Sequence, residues 1–158
     1  MPMSRTLVFA YGSNMHPERM LARVPAALPR GRARLAGHRL VFNKCGRDGS
    51  AKANLAADPD PEAGVWGVVW ELAAEALAQL DPYEGGYARV GVSVVAEDGA
   101  RFEAEAYVSE RLTDDPVPYD WYLNHVLRGA RAHELPAEYV AWLEGVISRP
   151  DETGGESS

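Results

Sequence analysis

The chain has 158 residues, the size of one domain and enough to bury a hydrophobic core without disulfides or metals. Hydrophobic residues make up 46% of it and charged residues 25%, which excludes intrinsic disorder for most of its length. No apolar run approaches the roughly 18 residues that a membrane-spanning helix needs. We therefore expect a single domain over residues 1–148, a polar and disordered tail over residues 149–158, and no membrane partner.

The formal net charge is −7, and it is unevenly distributed. Residues 1–60 contain ten basic and four acidic side chains, whereas residues 61–158 contain six basic and nineteen acidic ones. An acidic chain is by default a poor binder of nucleic acid. The basic stretch of Arg30, Arg32, Arg34 and Arg39 is only a weak indication of nucleic-acid binding, because its alternate positions are typical of the solvated face of a strand. The charge pattern therefore predicts no nucleic-acid partner.

The single cysteine, Cys45, excludes an internal disulfide. The first residues also lack the apolar segment of a secretory signal peptide. Both features favour a reducing compartment, and we expect a cytoplasmic location.

The first half of the chain predicts mostly strands. An apolar run at 7–11 reads as a buried strand that ends in a tight loop, and residues 17–24 read as a short helix that begins with a proline. Further along we expect the following: a strand at 33–43, a loop at 44–50, a short strand at 51–57 and a buried strand at 64–72.

The second half predicts a hairpin followed by helices. Residues 73–80 are rich in Ala, Leu and Glu and favour a helix. Strands at 88–95 and 101–108 are joined by a turn at 97–99, and helices follow at 118–132 and 136–147. Successive strands without a βαβ rhythm indicate an α+β fold. We expect a small antiparallel or mixed β-barrel flanked by helices.

Two segments are candidates for a site. Tyr11, Gly12, Ser13 and Asn14 follow the first strand, where a strand-to-helix loop can direct backbone N–H groups at a carboxylate or an oxyanion. Glu84 precedes a double glycine, whose backbone a ligand can approach closely. On the pattern alone, an ordinary turn and a surface glutamate remain the alternatives.

Other catalytic signatures are missing. The chain has no glycine-rich phosphate loop, and its four histidines lack metal-ligand spacing, so we expect no metal site. Ser13 lacks the flanking residues of a hydrolase nucleophile. A hydrolase that uses Ser13 or Cys45 stays a minor alternative.

Four segments resemble, in order, motifs of the γ-glutamylcyclotransferase-like (AIG2-like) family. They are residues 9–15 with the Tyr-Gly-Ser-Asn loop, the strand 65–70, the segment 80–87 around Glu84, and the helical part from Tyr122 to Tyr139. The resemblance covers about residues 6–147. Asn14 favours this branch over the glutathione-specific sister family, whereas Tyr83 departs from the polar residue of some relatives.

The resemblance implies a reaction without a cofactor, of acyltransferase or lyase type. A γ-glutamyl amide is cyclised to 5-oxoproline, and an amine or amino acid is released. It further implies that Glu84 is the general acid/base and that the glutamyl end is bound by the following residues: Tyr11, Gly12, Ser13, Asn14 and Tyr122. The partner is then a small γ-glutamyl substrate. Independently of the resemblance, aromatic residues such as Trp121 and Trp142 serve either the core or a contact between two copies, so we expect a monomer or a homodimer.

The residue types suit this chemistry. The α-amine of the substrate is itself the nucleophile, so no enzyme nucleophile is needed, and a tethered amine already has a large effective molarity. One carboxylate can take the proton from this amine and give it to the leaving nitrogen, which works best when burial raises its pKa toward neutrality. The alternative is a non-catalytic module of the same fold that binds a γ-glutamyl group or a protein partner. The leaving amine is not readable from the sequence.

Overall fold

The computed structural model describes residues 4–152. Within that range the chain forms seven strands: β1 (Arg5–Ala10), β2 (Leu28–Ala36), β3 (His38–Cys45), β4 (Ala51–Ala57), β5 (Gly64–Ala73), β6 (Ala88–Ala96) and β7 (Arg101–Val108). It also forms four α-helices: α1 (Pro17–Arg23), α2 (Leu77–Leu80), α3 (Asp120–Ala132) and α4 (Ala137–Glu144). Three short 3₁₀-helices cover Ser13–Met15, Ala74–Ala76 and Asp81–Glu84.

Five strands close into a barrel in the order β1-β5-β2-β6-β7, and β3 and β4 form a separate two-stranded sheet. All barrel pairs are antiparallel except the closing pair, β1 and β7, which is parallel. The expected α+β fold, a mixed barrel flanked by helices, is confirmed. Strand β5 pairs with β1 on one side and β2 on the other, and its apolar residues are buried over most of its length. The ring of Trp70 in β5 contacts the ring of His133, which follows α3.

Two predicted elements are wrong in detail. The strand expected at 33–43 is two strands, β2 and β3, separated by Gly37 with a φ of +76°. This left-handed conformation favours glycine and reverses the chain. The helix expected at 73–80 is a 3₁₀-turn followed by the four-residue α2. The chain then continues as a second 3₁₀-turn, because Pro82 has no backbone N–H to donate to an extended α-helix.

The tail expected to be disordered from residue 149 is held at its start. The backbone N–H of Arg149 donates to the carbonyl of Pro118, and its own carbonyl accepts from Asp120. The indole N–H of Trp121 donates to Asp151 at 3.0 Å. These bonds tie residues 149–151 to the start of α3, while residues 153–158 lie outside the described residues.

Helix α3 packs directly against the turn that follows β1. A Cβ on Gly129 would lie 2.4 Å from the Cβ of Met15 and 2.5 Å from the backbone nitrogen of His16, so only glycine allows this approach. The turn at 13–15 is therefore clamped between the barrel and α3. Among the described helices, none has the length and apolar character needed to cross a membrane.

Candidate active site

The 3₁₀-turn Asp81–Glu84 brings Glu84 to the turn that follows β1. The side-chain amide of Asn14 donates a hydrogen bond to the Glu84 carboxylate, with 2.5 Å between Nδ2 and Oε1. Arg23 donates from Nη1 to Oδ1 of Asn14 at 2.8 Å and lies 3.8 Å from the same Glu84 oxygen. Two predicted site residues thus meet, and the buried guanidinium of Arg23 joins them.

Glu84 is a buried carboxyl group with a shifted pKa. Its side chain is 12% exposed. Burial raises the pKa of Glu84 from 4.5 to about 7, although the positive charge of Arg23 and the hydrogen bond from Asn14 both lower it. The group therefore has similar populations of its charged and neutral forms near neutral pH, which is the condition for a group that must both accept and donate a proton.

Three tyrosines surround this carboxyl group and are fixed by backbone bonds. The hydroxyl of Tyr11 donates to the carbonyl of Tyr107 in β7. The hydroxyl of Tyr122 accepts from the N–H of Ala53 at 3.0 Å, and the hydroxyl of Tyr87 donates to the carbonyl of Ala53 at 2.6 Å. One residue of β4 therefore anchors two tyrosines from different parts of the chain.

The loop after β1 is tightly packed and keeps its donors available. A Cβ on Gly12 would lie 2.9 Å from the Cβ of Ala53 and 3.3 Å from the Tyr122 hydroxyl, so a side chain has no room there. The backbone N–H groups of Gly12, Ser13 and Asn14 donate no hydrogen bond to any other described residue. The loop therefore has three backbone donors for a ligand.

Two adjoining cavities open at Glu84. The smaller, of about 40 Å³, is bordered by all six predicted site residues: Tyr11, Gly12, Ser13, Asn14, Glu84 and Tyr122. The larger, of about 410 Å³, extends toward the β3–β4 hairpin and shares four bordering residues with the smaller one: Ser13, Glu84, Tyr87 and Tyr122. The structure thus brings the six residues to one place.

Sequence reasoning missed several residues of this site. Arg23 is buried beneath Asn14, and nothing in its helix distinguishes it from the exposed arginines of the chain. Lys44 and Lys52 border the larger cavity and are both buried. They are the only two lysines in the chain, and that scarcity was the signal that could have singled them out.

In the described part of the chain, neither alternative nucleophile has a hydrogen bond from a histidine base. Ser13 accepts a hydrogen bond from Nε of Arg19 at 3.1 Å, and no hydrogen bond from a histidine to Ser13 is seen over residues 4–152. Cys45 is exposed, outside the two cavities at Glu84. His16 and His125 contact one another at 2.8 Å, and the described part of the chain has no group of three metal-ligating side chains.

Comparison with known proteins agrees with this arrangement. The model of the AIG2-like family matches residues 64–143, which include Glu84. The chain belongs to the AIG2-like family. It is 32% identical to the γ-glutamylcyclotransferases of Bos taurus and of Homo sapiens, over 96% of this chain and 83% of each relative.

A solved structure described as a γ-glutamyl cyclotransferase has the same fold. It superimposes with a TM-score of 0.86 at 29% identity and covers 98% of this chain and 94% of its own. A structure described as a glutathione-specific γ-glutamyl cyclotransferase from yeast has a TM-score of 0.65 at 14% identity, a likeness of fold alone. The barrel of this AIG2-like chain is therefore that of the γ-glutamyl cyclotransferases.

Proposed function

We propose that this protein is a γ-glutamylcyclotransferase, which cyclises a γ-glutamyl amide to 5-oxoproline and releases an amine or amino acid. The observation that carries the proposal is the buried Glu84 carboxyl, with a pKa of about 7, in contact with Asn14 at a cavity bordered by the Tyr11–Asn14 loop. The names of the relatives that are 32% identical support the same activity.

In the proposed reaction the nucleophile belongs to the substrate. Its α-ammonium group first loses a proton to water, and the neutral nitrogen attacks the γ-carbonyl carbon. Ionised Glu84 takes a proton from the attacking nitrogen and gives it to the amide nitrogen, whose bond to carbon then breaks. The products are 5-oxoproline, which keeps one N–H, and a free amine, which takes up a proton from water.

The backbone donors of the loop serve the glutamyl end of the substrate. The N–H groups of Gly12, Ser13 and Asn14 can bind the oxygen anion of the tetrahedral intermediate or the α-carboxylate of the substrate. One such donor to an oxyanion contributes about 3–4 kcal/mol to transition-state stabilisation. Both uses put the glutamyl end of the substrate at the small cavity, which Glu84 borders.

We propose that the reaction needs no cofactor, because the nucleophile comes from the substrate and one carboxyl group carries the proton. Enzyme treated with a metal chelator and dialysed should keep its activity. A loss that is restored by a divalent cation would contradict this part of the proposal.

The test is the release of 5-oxoproline from γ-glutamyl-alanine, ε-(γ-glutamyl)lysine and glutathione by the wild type and by Glu84→Gln. We expect Glu84→Gln to lose about 10²–10⁴-fold in kcat while still binding substrate, since amide and carboxyl have the same shape. Glu110→Gln, at an exposed position, is the matched control. An active Glu84→Gln enzyme would overturn the mechanism, and binding without turnover in the wild type would favour a non-catalytic module.

A further inference from the structure

Glu84 is the first residue of a tight turn over residues 84–87. The backbone N–H of Tyr87 donates to the carbonyl of Glu84 at 3.0 Å. Gly85 has a φ of −57° and a ψ of 130°, and Gly86 has a φ of +86°. These are the angles of a type II turn, which requires a positive φ at its third residue. Because Glu84 belongs to the turn, the conformation of the turn affects where its side chain points.

The two glycines leave this turn with little conformational preference of its own. Without a Cβ, Gly85 and Gly86 have access to other turn types, in which the peptide group between them is rotated. Asn14 contacts the carboxylate of Glu84, at the far end of its side chain, and not this peptide group. The type II geometry therefore depends on contacts from outside the turn.

Both central carbonyls of the turn accept hydrogen bonds from buried side chains. The Nζ of Lys44 donates to the carbonyl of Gly85 at 2.7 Å, and the Oγ of Ser109 donates to the carbonyl of Gly86 at 2.7 Å. Lys44 is 5% exposed and Ser109 is 6% exposed. Among the described residues, no carboxylate pairs with the Lys44 ammonium, and the Gly85 carbonyl is its one hydrogen-bond acceptor. Loss of that bond would leave a buried charge without compensation, so the contact holds the peptide group firmly.

These contacts connect the turn to the β3–β4 hairpin. Lys44 lies in β3. Ser109 follows β7 and is fixed by Asn54 of β4, whose Oδ1 accepts from the Ser109 N–H at 3.0 Å and whose Nδ2 donates to the Ser109 carbonyl at 2.9 Å. Tyr87, the last residue of the turn, donates to the carbonyl of Ala53 in β4. The separate two-stranded sheet therefore holds each of the last three residues of the turn.

We propose that Lys44 and Ser109 are positioning residues for Glu84, because their hydrogen bonds hold the turn at 84–87 in its type II form and so fix where the carboxyl group lies. This inference rests on the proposed function. A general acid/base must lie within hydrogen-bond reach of the proton that it moves. A displacement of about 1 Å can reduce the rate by up to about 10²-fold.

The two residues differ in a way that separates positioning from other effects. Lys44 borders the larger cavity, where a substrate would lie, whereas Ser109 borders neither cavity at Glu84. Ser109→Ala breaks a bond to the turn without removing a charge. Lys44→Met also removes a positive charge that lowers the pKa of Glu84, so its acidic limb should move to higher pH. A loss of kcat that both variants share therefore reports the position of the turn.

The test measures kcat and KM on γ-glutamyl-alanine and on γ-glutamyl-alaninamide, which lacks the carboxylate of the released amino acid. We expect Lys44→Met and Ser109→Ala to lose about tenfold in kcat on both substrates, with KM nearly unchanged, because the lost bonds act through Glu84 and not on the substrate. Lys44→Arg keeps a charged donor and should recover part of kcat. Ser93→Ala is the matched control, since its hydroxyl donates to Glu103 at 2.9 Å outside both cavities.

Two results would overturn the inference in an active enzyme. The first is a Ser109→Ala variant with the kcat of the wild type. The second is a Lys44→Met variant that keeps kcat and whose KM rises for γ-glutamyl-alanine alone. Lys44 would then bind the carboxylate of the released amino acid and would not position Glu84.

Hydrogen exchange separates this inference from the proposed function, because it needs no turnover. The amide of Tyr87 closes the turn, so its exchange should be faster in Lys44→Met and in Ser109→Ala than in the wild type, while the amides of β5, which report global unfolding, keep their protection. Faster exchange at Tyr87 alone supports the inference, even if the wild type releases no 5-oxoproline and the proposed function fails. Unchanged exchange at Tyr87 in either variant would overturn the role of that residue, even in an active cyclotransferase.

Discussion

Asn14 and Glu84 are 70 residues apart in the chain and in direct contact, with the amide of Asn14 donating to the carboxylate at 2.5 Å. The orientation of that amide is fixed, because its oxygen accepts from Arg23 at 2.8 Å and its nitrogen must then face Glu84. Asn14 therefore links the buried Arg23 to Glu84, the carboxyl group proposed to move the proton, by one hydrogen bond to each.

Replacing Asn14 with alanine should raise the pKa of Glu84. The hydrogen bond from Asn14 stabilises the charged carboxylate and so lowers the pKa of Glu84, whereas burial raises it. Without Asn14, the effect of burial is opposed by fewer stabilising contacts. In the proposed mechanism Glu84 must start ionised, so wild-type kcat/KM should fall as the pH decreases through about 7. We expect this acidic limb to move to higher pH in Asn14→Ala.

The measurement is the pH profile of kcat/KM for both enzymes on one γ-glutamyl substrate. Asn124→Ala, at an exposed position of α3, is the control and should leave the profile unchanged. An acidic limb that stays in place in Asn14→Ala would mean that another group sets it.

The positive charge of Arg23 lowers the pKa of Glu84 more than the hydrogen bond from Asn14 does. We therefore expect Arg23→Gln to move the acidic limb further upward than Asn14→Ala. Arg23→Lys keeps the positive charge, so its acidic limb should lie between those of the wild type and Arg23→Gln. It should not reach the wild-type position, because a lysine cannot reproduce the planar fork of donors of an arginine. The pH profiles of the two variants test this, and identical profiles would contradict it. Because Arg23 is buried, thermal unfolding of both variants must be measured alongside.

The strands of the barrel could be predicted because local patterns encode them, whereas the place of Glu84 in the site came from the family resemblance. Strand β5 is a continuous apolar run, and the β6–β7 hairpin has alternating residues around a turn. The two loops with the site residues have recognisable sequences. Their meeting at one cavity was implied by the family resemblance, since no local pattern reports the register that closes β1 against β7.

The cations of the site could not be predicted, because their roles depend on tertiary structure alone. Arg23 and Arg19 are neighbours on α1, but the packing of the helix against the turn at 13–15 buries only Arg23. Lys44 lies within β3, which ends at Cys45, two residues beyond the strand end that the sequence predicts at 43, so the sequence pattern puts Lys44 in a loop. Burial and charge at such positions follow from the arrangement of elements and not from spacing.

The stability of the protein should depend on pH through Glu84. The pKa of this group is about 7 in the folded state against an ordinary 4.5, so the folded state holds the proton where the unfolded state has lost it. Wild-type stability should therefore decrease as the pH rises from about 4.5 to about 7, by up to about 3 kcal/mol. Glu84→Gln lacks this titration and should become the more stable protein above pH 7.

This comparison needs urea unfolding of both proteins at pH 5, 7 and 8.5. Glu110→Gln, at an exposed position, should follow the wild type at every pH. A constant difference in unfolding free energy between the wild type and Glu84→Gln would exclude a raised pKa at Glu84.

Gly12 is the position where the site tolerates no side chain. An alanine there would put its Cβ 2.9 Å from the Cβ of Ala53 and 3.3 Å from the Tyr122 hydroxyl, which accepts a hydrogen bond from the N–H of Ala53. We expect Gly12→Ala to lower stability by about 1–3 kcal/mol and to reduce activity, because overpacking moves the loop away from Ala53 and Glu84. Chemical unfolding and 5-oxoproline release measure the two effects.

Gly91→Ala is the matched control, since a Cβ on this β6 residue would have nothing within 4 Å. It should be neutral or slightly stabilising. Ala53→Gly removes the atom that Gly12→Ala would meet, so the double variant should recover part of the stability lost by Gly12→Ala. Additive losses in the two single variants would mean that the close contact between residues 12 and 53 is not what makes glycine necessary.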